Sequence, residues 1–161
     1  MGRTPHLALL LEIIDQAYDR KSWHGTTLRG SVRGVSLSEA SWRPAPGRNT
    51  IHELVLHAAY WKYAVRRQLT GAAHGTFPIR GSNWFRRDAA TAREWRDSVK
   101  LLDAMHEELR KAVVEAGRGD LSARAGRSRY SKQFLISGVA AHDLYHAGQI
   151  QLLKRLRRQQ P

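Results

Sequence analysis

The sequence contains no cysteine among its 161 residues. This absence excludes disulfide bonds, cysteine-ligated zinc sites and a thiol nucleophile supplied by the protein itself. Long apolar runs are also missing, and the short apolar run near the N-terminus is interrupted by Glu12 and Asp15. Neither a membrane span nor a signal peptide is therefore predicted, and we expect a cytoplasmic protein.

Acidic residues are scarce: 14 Asp and Glu stand against 27 Lys and Arg, which gives a net charge of +13. Such a charge allows association with nucleic acid. However, the basic residues are spread along the chain, with modest clusters at residues 86–87, 118–132 and 154–158. No helix-turn-helix, zinc-finger or RNP-like motif accompanies them. A solvated arginine-rich surface is the favoured interpretation, and a nucleic-acid partner is the less favoured alternative.

Strand-like alternation is hard to find, whereas apolar residues recur at helical spacing in four segments. Thr4 and Pro5 predict the start of a first helix, along which apolar residues from Leu7 to Tyr18 mark one face. Further helices are predicted over residues 50–70, from an Asp88 cap to residue 116, and over residues 131–158. The segment at 22–41 is irregular, and the connections rich in glycine or proline are long enough for one of them to cross the bundle or cover a site. We therefore predict one all-α domain, residues 1–161, built as a four-helix bundle.

The last predicted helix carries two histidines four residues apart, His142 and His146. Four residues advance an α-helix by about 40° beyond one turn, so both imidazoles project from the same face. They also replace apolar residues in the core-facing stripe of that helix. A shared metal ion would satisfy both rings, and the alternative is a pair of histidines bonded to water or backbone groups.

A third histidine, His57, lies beside Leu54, Ala58 and Trp61 on the predicted core-facing side of the second helix. Bundle interiors bring side chains from facing helices to one point, which makes His57 a candidate third ligand. His52 is about 140° away around the helix, and we interpret it as a first-turn surface residue. The remaining histidines are interpreted as structural, solvated or interhelical contacts: His6, His24, His74 and His106.

Two runs of the sequence resemble the DinB/YfiT-like family, whose members are regarded as metalloenzymes. They are WRPAPGRNTIHELVLHAAYWKYAVRRQLTG at residues 42–71 and HDLYHAGQIQLLKR at residues 142–155. The resemblance extends over residues 5–158 and implies an up-down-down-up bundle with a long crossover, commonly as a homodimer. It also implies a divalent metal held by three histidines, which fall on His57, His142 and His146.

The chemistry that the resemblance implies is transfer or isomerisation with a small thiol such as mycothiol or bacillithiol. Three neutral imidazoles leave coordination positions open and keep the charge of a zinc, nickel or iron ion, which can lower the pKa of a thiol or a water. We therefore predict a metal-dependent enzyme acting on a small electrophile; the alternative is a non-catalytic metal or ligand binder. Asp143 points away from His142, and Tyr145 and Gln149 are interpreted as packing or interhelical bonding residues.

Overall fold

A computed structural model describes residues 4–71 and 76–160, and these residues contain six α-helices. Four helices are long and two are short. They are α1 (Pro5–Tyr18), α2 (Leu28–Val32), α3 (Leu37–Ser41), α4 (Ile51–Leu69), α5 (Ala92–Ala116) and α6 (Lys132–Arg158). The predicted all-α class is confirmed, and the irregular segment at 22–41 contains the two short helices.

Capping side chains set the starts of the long helices. Thr4, Thr50 and Ser131 each accept a hydrogen bond from a backbone N–H of the first turn, as an N-cap does. The predicted Asp88 cap of α5 is wrong: Thr91 caps this helix and forms a capping box with Glu94. The pattern T-x-x-E satisfies two orphan N–H groups reciprocally, so it determines the first turn more strongly than an isolated aspartate three residues upstream.

Helices α4 and α5 run in the same direction. His52 meets Ser98 near the start of both helices, and Arg66 pairs with Glu108 several turns later. The chain after α4 must therefore return along its length, about 28 Å for 19 residues at 1.5 Å per residue, before α5 begins. Residues 76–91 form the described part of this crossover.

The other two long helices run opposite to that pair. In α6, His146 lies against His57 while Asp143, one turn earlier, pairs with Lys62 further along α4. In α1, Asp15 binds Arg110 of α5 at 2.8 Å, and Tyr18 reaches a residue seven positions earlier in α5. These directions are consistent with an up-down-down-up order.

The core between the long helices is apolar at both ends and polar in the middle. Leu10, Ile14, Val113 and Ile136 belong to one apolar cluster, while another surrounds Leu56 and its neighbours.

Between residues 4 and 71 and between 76 and 160, no helix is long and apolar enough to cross a bilayer.

A buried polar layer separates the two apolar clusters. The Lys62 ammonium pairs with the Asp143 carboxylate, and both side chains are at most 2% exposed. The same ammonium lies 4.8 Å from the centre of the Tyr18 ring, and this ring stacks on His106 at 3.7 Å. Burial raises the pKa of Asp143, and the attraction of Lys62 opposes that rise.

His106 makes the stability of the fold dependent on pH. Burial, aided by Lys62 and Arg110, lowers its pKa to about 3, whereas a histidine in the unfolded chain titrates near 6.5. The unfolded chain therefore binds the extra proton first, so this stabilisation is complete above about pH 6.5 and is lost as the pH falls.

We expect His106→Phe, which keeps a ring against Tyr18, to reduce the slope of unfolding free energy between pH 6.5 and 4 by up to about 1.4 kcal/mol per pH unit. Urea unfolding at several pH values measures this slope. The matched control is His6→Phe, which makes the same substitution at an exposed histidine. An unchanged slope in His106→Phe would show that His106 is not the titrating group.

Candidate metal centre

The structure brings the three predicted site histidines together. The Nε2 atom of His142 lies 3.0 Å from the Nε2 atoms of both His57 and His146. All three candidate ligand atoms lie within 4.8 Å of one another. His57 and His146 are buried, and His142 is half-buried. One helical turn of α6 and the facing turn of α4 thus converge on one point.

The hydrogen bonds on the far side of two rings determine which nitrogen faces the centre. His57 Nδ1 donates to the backbone oxygen of Asn83 at 2.7 Å, and His146 Nδ1 donates to Gln149 Oε1 at 2.7 Å. Both neutral rings therefore present the lone pair of Nε2 to His142. Metal-binding histidines are commonly oriented by such outer bonds.

The third ring leaves a mismatch that a cation would remove. A proton on His142 Nε2 can serve only one of its two 3.0 Å contacts, so the inward lone pair of the other ring would have no donor. If the proton is instead on Nδ1, it has no hydrogen-bond partner in the described structure. Three inward lone pairs fit a divalent cation, for which neutral imidazole is a suitable ligand.

Burial also keeps the three rings neutral. It lowers the pKa of His57, lowers that of His146 to about 4 and, with repulsion from the other two rings, lowers that of His142 to about 3. Protons therefore do not compete for the inward nitrogens at neutral pH.

Comparison with known families identifies the family of this chain. The model of the DinB superfamily matches residues 21–150, a span that contains all three histidines. The chain belongs to the DinB superfamily. No curated protein and no solved structure gives a significant match. The family predicted from the sequence is confirmed, and the reaction has to be argued from the site.

Two residues that hold the histidines in this DinB-superfamily chain were not predicted as ligand supports. Asn83 lies in the crossover and is the non-glycine residue with a positive φ, 62°, among the described residues. Asparagine tolerates this conformation better than most side chains. Gln149, interpreted from sequence as a packing or interhelical residue, bonds His146 within its own helix. Its position three residues after His146, one helical turn away, was the available signal.

Three aromatic side chains, which we call the aromatic rim, surround the histidines: Trp61, Trp84 and Tyr145. Trp84 stacks on His57 at 3.7 Å with an angle of 6°, and Trp61 lies 6.2 Å from the ring of His142. Tyr145 lies 5.1 Å from the ring of His146. The rim residues are 37%, 42% and 64% exposed. Trp61 was predicted on the core-facing side and instead lies at the open side of the site.

The remaining histidines lie away from this centre. His52 was interpreted as a surface residue, which is wrong: it is fully buried, and its Nε2 lies 2.8 Å from Ser98 Oγ. The crossover places α5 against the first turn of α4, and this tertiary contact covers a position that appears solvent-facing from sequence. His6 and His24 are exposed, and His74 lies outside the described residues.

The acidic groups nearest in sequence to the site histidines are engaged elsewhere. Asp143 follows His142 in sequence but pairs with Lys62, in agreement with its predicted direction. Glu53 accepts two bonds from Arg43, at 2.9 and 2.7 Å, and one from the backbone of Arg87. The candidate cluster among the described residues therefore contains histidines alone.

Proposed function

We propose that His57, His142 and His146 bind one divalent cation and that the protein is a metal-dependent enzyme acting on a small electrophile with a thiol, or alternatively water, as nucleophile. The convergence of three neutral Nε2 atoms within 4.8 Å carries this proposal. Three neutral ligands would leave the +2 charge of the ion uncompensated and one coordination position open, which is typical of catalytic sites.

A divalent ion bound there supplies the positive charge that lowers the pKa of a thiol or a water molecule. The protein's own residues orient the imidazole ligands and exclude water from the site. Asn83 and Gln149 hold two of the imidazoles in the orientation that directs Nε2 inward. The aromatic rim covers part of the centre with apolar surface, which limits the access of bulk water.

A sulfur nucleophile must come from outside the chain. The sequence has no cysteine, and the described carboxylates Asp143 and Glu53 are paired with Lys62 and Arg43. A small thiol cosubstrate is consistent with the family resemblance and with the apolar surroundings. The lack of a free carboxylate in the candidate cluster also favours a second function, a non-catalytic metal binder.

Thiol-dependent turnover distinguishes these functions. Zinc- or nickel-loaded protein is assayed with a panel of low-molecular-weight thiols and an electrophilic dye such as monochlorobimane. We expect metal-dependent conjugation that falls at least a hundredfold in His57→Ala, about 2.7 kcal/mol of transition-state stabilisation. The exposed His24 gives the control variant His24→Ala, with unchanged turnover. Metal binding without turnover for any thiol would refute the thiol-dependent enzyme and support the binder.

A further inference from the structure

The aromatic rim is exposed although large aromatic side chains usually gain from burial. All three rings contact the site histidines, with centroid distances from 3.7 to 6.3 Å. The three residues come from three different segments, α4, the crossover and α6. The fold therefore assembles an aromatic wall around one point, instead of leaving single exposed rings scattered over the surface.

Asn83 connects this wall to the histidines. Its backbone oxygen accepts from His57 and its side-chain Oδ1 accepts from Trp61 Nε1 at 2.9 Å. The left-handed backbone conformation, φ 62°, costs energy in a residue with a side chain. One strained residue thus fixes both a histidine and a rim ring, while its neighbour Trp84 stacks on the same histidine.

We propose that the aromatic rim is the binding site for a planar aromatic ring of the substrate, whose other end reaches the three histidines. This inference rests on the proposed function for the position of the reacting end. Aromatic rings associate in stacked or edge-to-face arrangements with about 0.5–1.5 kcal/mol beyond the area that they bury. Three rings at fixed positions favour a planar aromatic group over an aliphatic group of the same size.

The charges of the molecule argue against a cationic ligand for the same rim. The net charge of +13 repels cations at long range. Among the described residues, the two carboxylates nearest in sequence to the site histidines, Glu53 and Asp143, are paired with Arg43 and Lys62. An aromatic cage for an ammonium group is therefore disfavoured compared with a site for a neutral or anionic aromatic compound.

The test uses hydroxamic acids, which share one metal-binding group and differ only in the organic group attached to it. Cobalt-loaded protein is titrated with benzohydroxamic, cyclohexanecarbohydroxamic and acetohydroxamic acids, and the visible cobalt spectrum reports binding. We expect the phenyl compound to bind at least tenfold more tightly than the methyl compound and more tightly than the cyclohexyl compound. Equal affinities for the phenyl and cyclohexyl compounds would overturn the proposal of a planar aromatic ligand.

Substitutions in the rim test whether its side chains cause the preference for the phenyl compound. We expect Trp61→Ala and Tyr145→Ala to reduce the phenyl-to-methyl ratio at least threefold without a loss of cobalt. Trp23, which is 99% exposed and lies outside the rim, gives the control variant Trp23→Ala. Asn83→Gly keeps the backbone conformation and the carbonyl that accepts from His57, so this variant should retain cobalt and lose the preference for the phenyl compound. Asn83→Asp keeps an oxygen for Trp61 and should retain that preference. An unchanged ratio in every rim variant would overturn the proposal.

A further measurement distinguishes failure of the metal site from failure of the aromatic rim. Absence of a cobalt spectrum in the folded protein would refute metal binding alone. The rim is then tested in metal-free protein by tryptophan fluorescence with benzamide against acetamide. A preference for benzamide that Trp61→Ala abolishes would support the rim without the metal, and its absence would overturn the rim.

Discussion

Replacing His142 by alanine is expected to reduce the bound metal from about one ion per chain to nearly none. The Nε2 atom of His142 is 3.0 Å from those of both other histidines, so its loss leaves two separated donors. Zinc binding by structural sites, which have four ligands, contributes about 10–16 kcal/mol in total. One ligand therefore contributes about 3 kcal/mol, and its loss reduces the affinity more than a hundredfold. Elemental analysis of purified protein measures the metal content.

His52→Ala is the matched control for that experiment. His52 is a buried histidine of α4, but its ring bonds Ser98 and packs against Trp95 at 5.3 Å. We expect this variant to lose stability and to keep its metal. Equal metal content in His142→Ala and the wild type, with both folded by circular dichroism, would contradict the three-histidine site.

Lys62→Met is expected to reduce the free energy of unfolding by about 3–5 kcal/mol, because it leaves the buried Asp143 carboxylate without its cation. The Asp143 side chain is 2% exposed, and its Oδ1 has no hydrogen-bond partner in the described structure. Urea unfolding of the metal-free protein at pH 7.5 measures the loss.

The double variant Lys62→Met/Asp143→Leu separates a buried unpaired charge from a general packing defect. Removing both charges eliminates the desolvation cost, so we expect the double variant to recover most of the stability lost in Lys62→Met. A double variant as unstable as the single one would show that packing around Lys62, including its contact with Tyr18, dominates. A loss below about 1 kcal/mol in Lys62→Met would contradict the buried ion pair.

The long helices and the histidine pair on α6 can be predicted from the sequence because their signals are local. The spacing of His142 and His146 predicts a shared face from helical geometry alone, and the apolar stripe predicts that this face points inward. The core-facing position of His57 makes it only a candidate third ligand, and the family resemblance assigns it, since no local signal brings together two residues 85 positions apart in the chain.

Features that depend on the crossover could not be predicted in this way. The parallel packing of α4 and α5 buries His52, and the returning chain brings Asn83 over His57. The Lys62–Asp143 pair joins residues 81 positions apart, and charged residues in a helix are normally assigned to the solvated face. Each of these contacts is a tertiary effect that overrides the local pattern.

X-ray absorption spectroscopy of the zinc-loaded protein tests the central claim most directly, because it reports the atoms around the ion. We predict three imidazole nitrogens at about 2.0–2.1 Å, the usual zinc–histidine distance, with one or more light-atom ligands from solvent, and loss of this three-imidazole signature in His146→Ala. A spectrum without imidazole scattering, or one that is identical in His146→Ala, would contradict a metal centre built from His57, His142 and His146.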